Sequence, residues 1–238
     1  MHYEFTSRVR YSEIAPDGAM TLPAIVSRMQ DCSVFHSDAV GRGPAFWLTD
    51  ERGWIIVSWQ IVFRGTPHFG EALTTRTWGT RFHGIEGDRN FTLSGPDGTL
   101  YAEAYSRWVY YDLVKDMPIR VPKEESEAYG TEPALTSFAY APRKITLPET
   151  APEEEEPLQV QPMAIDTNHH VNNLVYIQMA ASYLPADFKV RELRVQYLHQ
   201  AKLGDVLVPK RYVEKDRVVV ALALKDGPDC AVAEFYGA

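Results

Sequence analysis

The segment "DTNHHVNN", residues 166–173, sets an acid, an amide and two imidazoles within five positions, and two further Asn follow. On an extended stretch, side chains at i, i+2 and i+4 project to one side. That places Asp166, Asn168 and His170 together on a single reacting atom. An apolar-periodic run begins directly afterwards, over 171–184. The amino end of such a helix offers backbone N–H groups and a positive dipole end, here at Val171 and Asn172. A base, an orienting amide and backbone donors for a developing oxyanion are the parts that acyl transfer to water requires.

The same residues admit plainer readings. Asp and Asn are favoured at helix caps and in turns, so Asp166 and Asn168 are also explained as cap and turn residues. His169 and His170 are metal-ligand types, but neighbours on an extended chain point opposite ways. No third ligand stands at a metal-binding spacing, so neither a metal nor an organic cofactor is expected. Asn172 and Asn173 are read as tying the helix start to nearby backbone.

A weak internal repeat bears on this choice. "IAPDGAMTLPAIVSRMQ" (14–30) aligns with "IDTNHHVNNLVYIQMAA" (165–181) at an offset of 151, that is 165 minus 14. "WQIVFRGTPHFGEALT" (59–74) aligns with "LRVQYLHQAKLGDVLV" (193–208) at an offset of 134, that is 204 minus 70, matching Gly70 with Gly204 and Glu71 with Asp205. The first copy has Ala15, Asp17 and Ala19 where the second has Asp166, Asn168 and His170. A turn with only a structural task has little reason to be so unequal. The expectation is one site per chain, in the second half, with the two copies related by a pseudo-twofold axis.

The elements that must position this site read as follows. Residues 21–40 form a helix, with Leu22, Ile25, Val26, Met29, Cys32 and His36 on one face, Thr21 as its N-cap and Pro23 in its first turn. Strands follow over 54–63, 72–82, 88–95 and 100–113, with "GPDG" turning between the last two. Residues 141–160 contain four Pro and a run of four Glu and read as a solvated linker. The second half repeats the order, with a helix over 171–184 and strands over 190–198, 205–215, 217–225 and 230–237.

Bulk composition narrows the function classes. Apolar residues make up 45% of the 238 and charged ones 24%, enough for the core of a globular protein. The net charge of -8, with no Lys/Arg stripe, argues against nucleic acid as a partner. The N-terminus lacks the apolar core of a secretory signal, and "WIIVSWQIVF" is too short to span a bilayer. Cys32 and Cys230 stand far apart and read as free thiols of a reduced, cytoplasmic chain.

"DTNHHVNNLVYI" resembles the signature D-x-N-x-H-V-N-N-x-x-Y of the acyl-ACP thioesterases, the plant and bacterial fatty acyl carrier-protein hydrolases. The likeness extends along the chain through "RVRYSEIAPDGAMTLPAIVSRMQD" (8–31), "GWIIVSWQIVFRGTPHFGEALTTRTW" (53–78) and "RWVYYDLVKDMPIRVP" (107–122). It implies an α+β tandem double hotdog, each half an antiparallel sheet wrapped around a long central helix. The halves would be residues 1–140, holding the acyl-chain pocket, and 161–238, holding the catalytic residues, with 141–160 between them. It also implies hydrolysis of the thioester between a fatty acyl chain and the phosphopantetheine arm of acyl carrier protein. On that basis Asp166, Asn168 and His170 are the catalytic residues. The family's further carboxylate falls on Gln200, which cannot act as a base, so this chain departs from the pattern there. The acyl chain would run along Leu22, Ile25, Val26 and Met29. Carrier protein is acidic, so docking needs a local basic patch, for which Lys189, Arg191 and Arg194 are the candidates. An acyl-CoA thioesterase of the same fold and a catalytically silent acyl-binding protein are the competing readings. The chain is expected to work as a monomer or a homodimer.

Overall fold

The protein was analysed as a computed structural model that describes residues 1–237. The chain divides into two compact units, Met1–Val57 with Ile61–Tyr140, and Ser58–Gln60 with Ala141–Ala238.

The first unit contains β1 (His2–Arg8), α1 (Leu22–Ala39), α2 (Pro44–Asp50), β2 (Arg52–Phe63), β3 (Ala72–His83), β4 (Glu86–Ser94), β5 (Leu100–Asp112), β6 (Met117–Pro118) and α3 (Lys123–Tyr129). Its sheet runs in the order β1-β3-β4-β5-β2, with β6 paired to β5. The pairs β1–β3, β3–β4 and β4–β5 are antiparallel. The helix α1 starts where Thr21 accepts a hydrogen bond from the Ala24 N–H, with Pro23 in the first turn. It ends before Gly41, whose positive φ of 71° costs a residue without a Cβ least. Ile25, Val26, Met29, Cys32 and His36 form its buried face against β1 and β3.

A buried ion pair fixes how the chain enters α1. Glu13, in a short 3₁₀ turn over Tyr11–Glu13, lies 2.6 Å from the Arg28 guanidinium of α1. Arg28 also donates to Ser7 Oγ at 2.7 Å and to the Arg8 carbonyl at 2.6 Å, so the far side of the pair is satisfied by β1. The Arg10 backbone and side chain both donate to the same carboxylate. Burial by itself would raise the Glu13 pKa, but the bonds from Arg10 and Arg28 outweigh it and hold the carboxyl at about 2.

The second unit contains β7 (Glu153–Glu154), β8 (Leu158–Gln159), α4 (Asn173–Ala181), β9 (Val190–Tyr197), β10 (Val206–Val213), β11 (Arg217–Leu224) and β12 (Asp229–Gly237). Its strands run β9-β12-β11-β10, antiparallel at each step, with β7 and β8 both on the free side of β10. The nearly continuous apolar run of β11, Val218 to Leu222, is fully buried and receives α4. The helix α4 is shorter than the 171–184 expected. It begins with the Asn172 side chain capping the Leu174 N–H and breaks into turns at Ser182, whose hydroxyl bonds back to the Met179 carbonyl at 2.6 Å.

The two units repeat one another bond for bond around their helix starts. The 3₁₀ turn Tyr11–Glu13 has its counterpart in Pro162–Ala164. The bridge Ile14–Met20 matches Ile165–Val171. Gly70 and Gly204 both adopt positive φ, 81° and 85°. The bond from the Val9 N–H to the Glu71 carbonyl, 2.9 Å, reappears between Val160 and Asp205 at 2.8 Å.

The repeat also corrects the reading of 141–160 as a solvated linker. Leu158 pairs with Leu207 as Ser7 pairs with Leu73, at the same offsets of 151 and 134. The acidic stretch is therefore the second copy of β1, cut into two short pieces at Pro157, which can donate no ladder bond. Its glutamates are held by Arg211, which meets Glu153 at 2.6 Å and Glu155 at 3.0 Å. Upstream, Ile145 is buried among Tyr212, Val219, Ala221 and Val232. Cys32 and Cys230 are free and buried, and no described helix is long and apolar enough to cross a membrane.

The Glu13–Arg28 pair predicts an acid-sensitive term in stability. The folded pKa of Glu13 lies below its unfolded value, so its contribution is complete above the unfolded value and is lost as pH falls toward about 2. Glu13→Gln leaves Arg28 buried without its charge partner and is expected to cost about 3–5 kcal/mol near neutral pH. Urea denaturation from pH 7 down to pH 2.5 should show the gap between wild type and variant closing. A gap independent of pH would contradict this account.

Candidate functional site

The polar segment is a closed loop, and this corrects the extended geometry expected for it. Ile165 and Val171 form an antiparallel bridge, and the chain reverses between them. The Asp166 N–H donates to the His170 carbonyl at 2.9 Å, and the His169 N–H donates to the Asp166 carbonyl at 3.1 Å. His169 takes a positive φ of 62°. Asp166, Asn168 and His170 thus lie on a five-residue turn rather than alternating along a strand. The first unit makes the same loop. Ala15 bonds Ala19 at 2.8 Å, Gly18 bonds Ala15 at 2.9 Å, and Gly18 holds the left-handed position that His169 occupies.

Within the loop the Asp166 carboxylate accepts the Asn168 N–H on Oδ1 at 2.8 Å. This is the turn role that competed with the catalytic one, and the carboxylate performs it with one oxygen only. Asp166 and His170 are half-buried, whereas Asn168 and His169 are exposed. A half-buried carboxylate with its second oxygen open to water is positioned to accept a proton from it.

The donors expected for an oxyanion require correction. The Val171 N–H bonds the Ala201 carbonyl at 2.9 Å, and the Asn172 N–H bonds the Ala164 carbonyl at 2.9 Å. Both are consumed in fixing the loop. Next along α4, the Leu174 N–H is capped by Asn172 Oδ1 at 2.9 Å. The Asn173 N–H, between them, has no acceptor among the described residues and is the donor that the helix start leaves open.

Gln200 lies just beyond β9, exposed, in the connection to β10. Its neighbour Ala201 is clamped at both ends of its residue: the carbonyl receives Val171, and the N–H donates to Tyr176 Oη at 2.9 Å. Tyr197 Oη donates to the Asn173 carbonyl at 3.0 Å, tying β9 to the first turn of α4. These bonds fix the backbone on the C-terminal side of Gln200 to the end of the loop. Tyr176 is the tyrosine that closes the D-x-N-x-H-V-N-N-x-x-Y signature, but the partner of its hydroxyl lies in a segment remote in sequence and carries no spacing signal. His199 turns aside to the Asp229 carbonyl at 2.9 Å.

Of the basic residues considered for docking, Arg194 is engaged elsewhere. Its guanidinium bonds Glu234 and the Pro142 and Lys144 carbonyls, locking the connector onto the sheet. Lys189 and Arg191 are exposed, and Arg191 makes only a 3.4 Å contact to the Gly237 carbonyl.

In the first unit, Ile25, Val26 and Met29 are packed in the core at 3%, 0% and 0% exposure, with Leu22 less deeply buried at the first turn. A pocket of about 420 Å³, part of it open to solvent, lies one to two turns further along α1. Ser33, Val34 and Ser37 of the helix face Trp47, Trp54, Phe82 and Trp108 across it, with Arg89 and Tyr129 also in its wall. Its lining does not include Leu22, Ile25, Val26 or Met29.

Comparison with known proteins places this geometry in a family. The acyl-ACP thioesterase N-terminal domain matches residues 1–129, and the acyl-ACP thioesterase C-terminal domain matches residues 148–222. The chain is 24% identical over 216 residues to the chloroplastic palmitoyl-acyl carrier protein thioesterase of Arabidopsis thaliana, covering 84% of this chain and 52% of the relative. It therefore spans about half the length of the curated relatives it matches most strongly. The acyl-ACP thioesterase of Bacteroides thetaiotaomicron superposes with a TM-score of 0.88 at 19% identity, covering 99% of this chain and 97% of that one. The 12:0-ACP thioesterase of Umbellularia californica superposes at 0.86 and 17% identity, covering 99% and 96%. With both domain models matched in order and the double-hotdog fold shared, this chain belongs to the acyl-ACP thioesterase family.

Proposed function

We propose that this protein hydrolyses the thioester between a fatty acyl chain and the phosphopantetheine arm of acyl carrier protein, releasing the free acid. The observation that carries this reading is the unequal loop. On one backbone design, the second unit has Asp166 and His170 where the first has Ala15 and Ala19, and it accepts a left-handed His169 where the first has Gly18. Family membership supplies the substrate class.

In the proposed reaction the Asp166 carboxylate takes a proton from water as the water oxygen bonds the thioester carbon. The Asn173 N–H receives the charge that develops on the carbonyl oxygen, a task for which one such donor contributes about 10²–10³ in rate. The carbon–sulfur bond then breaks, and the proton passes from Asp166 to the departing sulfur. Asn168 orients the thioester, His170 holds Asp166 and its water in register, and Gln200 binds the water without titrating. No metal and no organic cofactor enters this scheme.

The engagement of Arg194 with Glu234 leaves Lys189 and Arg191 as the basic groups of the proposed docking patch. That small patch favours keeping an acyl-CoA thioesterase as the second reading. Turnover of acyl-ACP against acyl-CoA of equal chain length separates the two, and loss of acyl-ACP turnover with rising salt would implicate the patch.

Two experiments test the assignment. Asp166→Ala and His170→Ala, once shown to be folded, are expected to lose about 10²–10⁴ in kcat on acyl-ACP; wild-type rates in both would end it. Gln200→Glu adds a second titrating carboxylate beside the loop and should alter the pH–rate profile. The second experiment concerns the strain at His169, which costs about 1–2 kcal/mol for an L-residue in the left-handed region. Glycine's greater freedom in the unfolded chain offsets about 0.5–1 kcal/mol of that, so His169→Gly should raise the midpoint of thermal unfolding by about one to three degrees. A midpoint lowered by about two degrees or more would mean that the loop holds His169 without strain.

A further inference from the structure

The pocket of the first unit contains a charge that nothing in the protein neutralises. Arg89, on β4, is 8% exposed and lies in the pocket wall. Its Nη1 donates to His36 Nδ1 at 2.9 Å and to Thr77 Oγ1 at 3.2 Å. No carboxylate reaches it within ion-pair distance among the described residues. Asp88 in the pocket wall and Glu125, which bonds the wall residue Trp54, are already engaged. Asp88 is held by Arg81 at 2.7 Å and by Tyr105 at 3.0 Å. Glu125 is held by Arg42 at 2.8 Å and by Trp54 at 2.9 Å.

The neighbours that do touch Arg89 are neutral. Burial, reinforced by Arg89 itself, pushes His36 down to about 3, so its imidazole is uncharged and accepts from the guanidinium. Burial pushes the Cys32 thiol up to about 12, leaving it protonated. The Tyr129 ring lies 5.3 Å from the Arg89 Cζ, and its hydroxyl is directed to Ser37 Oγ. A cation–π contact of this kind returns about 0.5–2 kcal/mol. Taking a guanidinium out of water costs several kcal/mol, and arginine does not escape by losing its proton. Two neutral hydrogen bonds and one ring do not balance that cost. The guanidinium has five N–H donors in a planar fork, and the bonds described all fall on Nη1. Nε and Nη2 donate to nothing else among the described residues and belong to the side chain that lines the pocket.

We propose that Arg89 is a specificity-determining residue that reads an oxygen on the acyl chain: the pocket takes acyl groups bearing a hydrogen-bond-accepting oxygen toward their far end, a carboxylate above all and a hydroxyl less strongly. This rests on the reading of the protein as an acyl-thioester hydrolase. The aromatic wall of Trp47, Trp54, Phe82 and Trp108 suits the methylene part of such a chain. The buried fork supplies paired donors for the oxygen at its end, and a carboxylate there forms charge-assisted bonds in place of the missing counterion. A plain alkyl terminus in the same place leaves the guanidinium desolvated and unpaired.

Equilibrium binding tests this without catalysis. The probes are non-hydrolysable N-acyl ethanolamines of matched length with a methyl, hydroxyl or carboxylate terminus, read by the fluorescence of Trp47, Trp54 and Trp108. Their head group carries no carboxylate of its own. The carboxylate-ended probe is expected to bind wild type at least tenfold more tightly than the methyl-ended one, with the hydroxyl-ended probe between them. Arg89→Met should abolish that order and Arg89→Lys should keep part of it. Equal or tighter binding of the methyl-ended probe to wild type, or no binding of any probe, overturns the proposal without recourse to a variant. Hydrolysis of plain acyl-ACPs alongside equal probe affinities would remove the role of Arg89 and leave the thioesterase reading intact. The expected affinity order in a protein that hydrolyses no acyl thioester would do the reverse.

Discussion

The hydrogen bond from the Val171 N–H to the Ala201 carbonyl, 2.9 Å long, is the constraint around which the second unit is arranged. It ties the end of the polar loop to the connection between β9 and β10, and the Asn172–Ala164 bond beside it closes the other side. The first unit has the same clamp, from the Met20 N–H to the Pro67 carbonyl at 2.8 Å, with Thr21 bonded to Glu13 next to it. There the clamp supports a loop with alanines at the corresponding positions, Ala15 and Ala19. A scaffold that is stable with small side chains in one unit can accept an acid and an imidazole in the other without a change of backbone. The demand appears only at position 169, where an imidazole side chain stands in the conformation that Gly18 adopts freely.

The same clamp decides which groups remain available for chemistry. Helix starts are often described as a set of free donors, but here Val171 and Asn172 have given theirs to the loop, and Leu174 is capped by a side chain. One N–H is left, between two that are occupied. Gln200, next to the clamped Ala201, carries an amide, which in the proposed site would bind water without adding a second base. In the proposed reaction, with only one carboxylate in the loop, proton uptake from water and proton return to sulfur would both fall to Asp166. The turn bond on its Oδ1 would then serve beyond structure, since it holds the carboxylate in one orientation and does not engage Oδ2.

Much of this architecture was legible in the residues. The eight long strands β2–β5 and β9–β12 and the helix α1 follow from alternation, helical spacing and the turns at "GPDG" and "KDGPD". The two repeat offsets hold in the backbone at the 3₁₀ turns, the bridges and the Gly–acid turns. What was not legible has local causes. The edge pieces β7 and β8 carry Glu and Pro, residues that protect an edge from further pairing and so look like a linker in one dimension. The short helices α2 and α3 have too few turns to show a period. Asp166, Asn168 and His170 were singled out by type and spacing, but the turn they lie on depends on a positive φ at a histidine, which no residue pattern announces. The expected donors failed because backbone partners come from segments remote in sequence, Ala164 and Ala201 among them.

Two buried arginines of the first unit show how the fold distinguishes structure from recognition. Arg28 is placed between Glu13, Ser7 and the Arg8 carbonyl, so its charge is met by a carboxylate, Nη1 and Nη2 have acceptors, and it holds α1 to β1. Arg89 is as deeply placed and is met by a neutral imidazole, a hydroxyl and a ring. Packing alone would favour an apolar residue in its position, since the surrounding wall is aromatic and an uncharged side chain avoids the desolvation cost. The cation is balanced only when something enters the pocket with an acceptor to offer. A buried charge completed by a ligand then discriminates through its cost, because the ligand that lacks the acceptor leaves that cost standing.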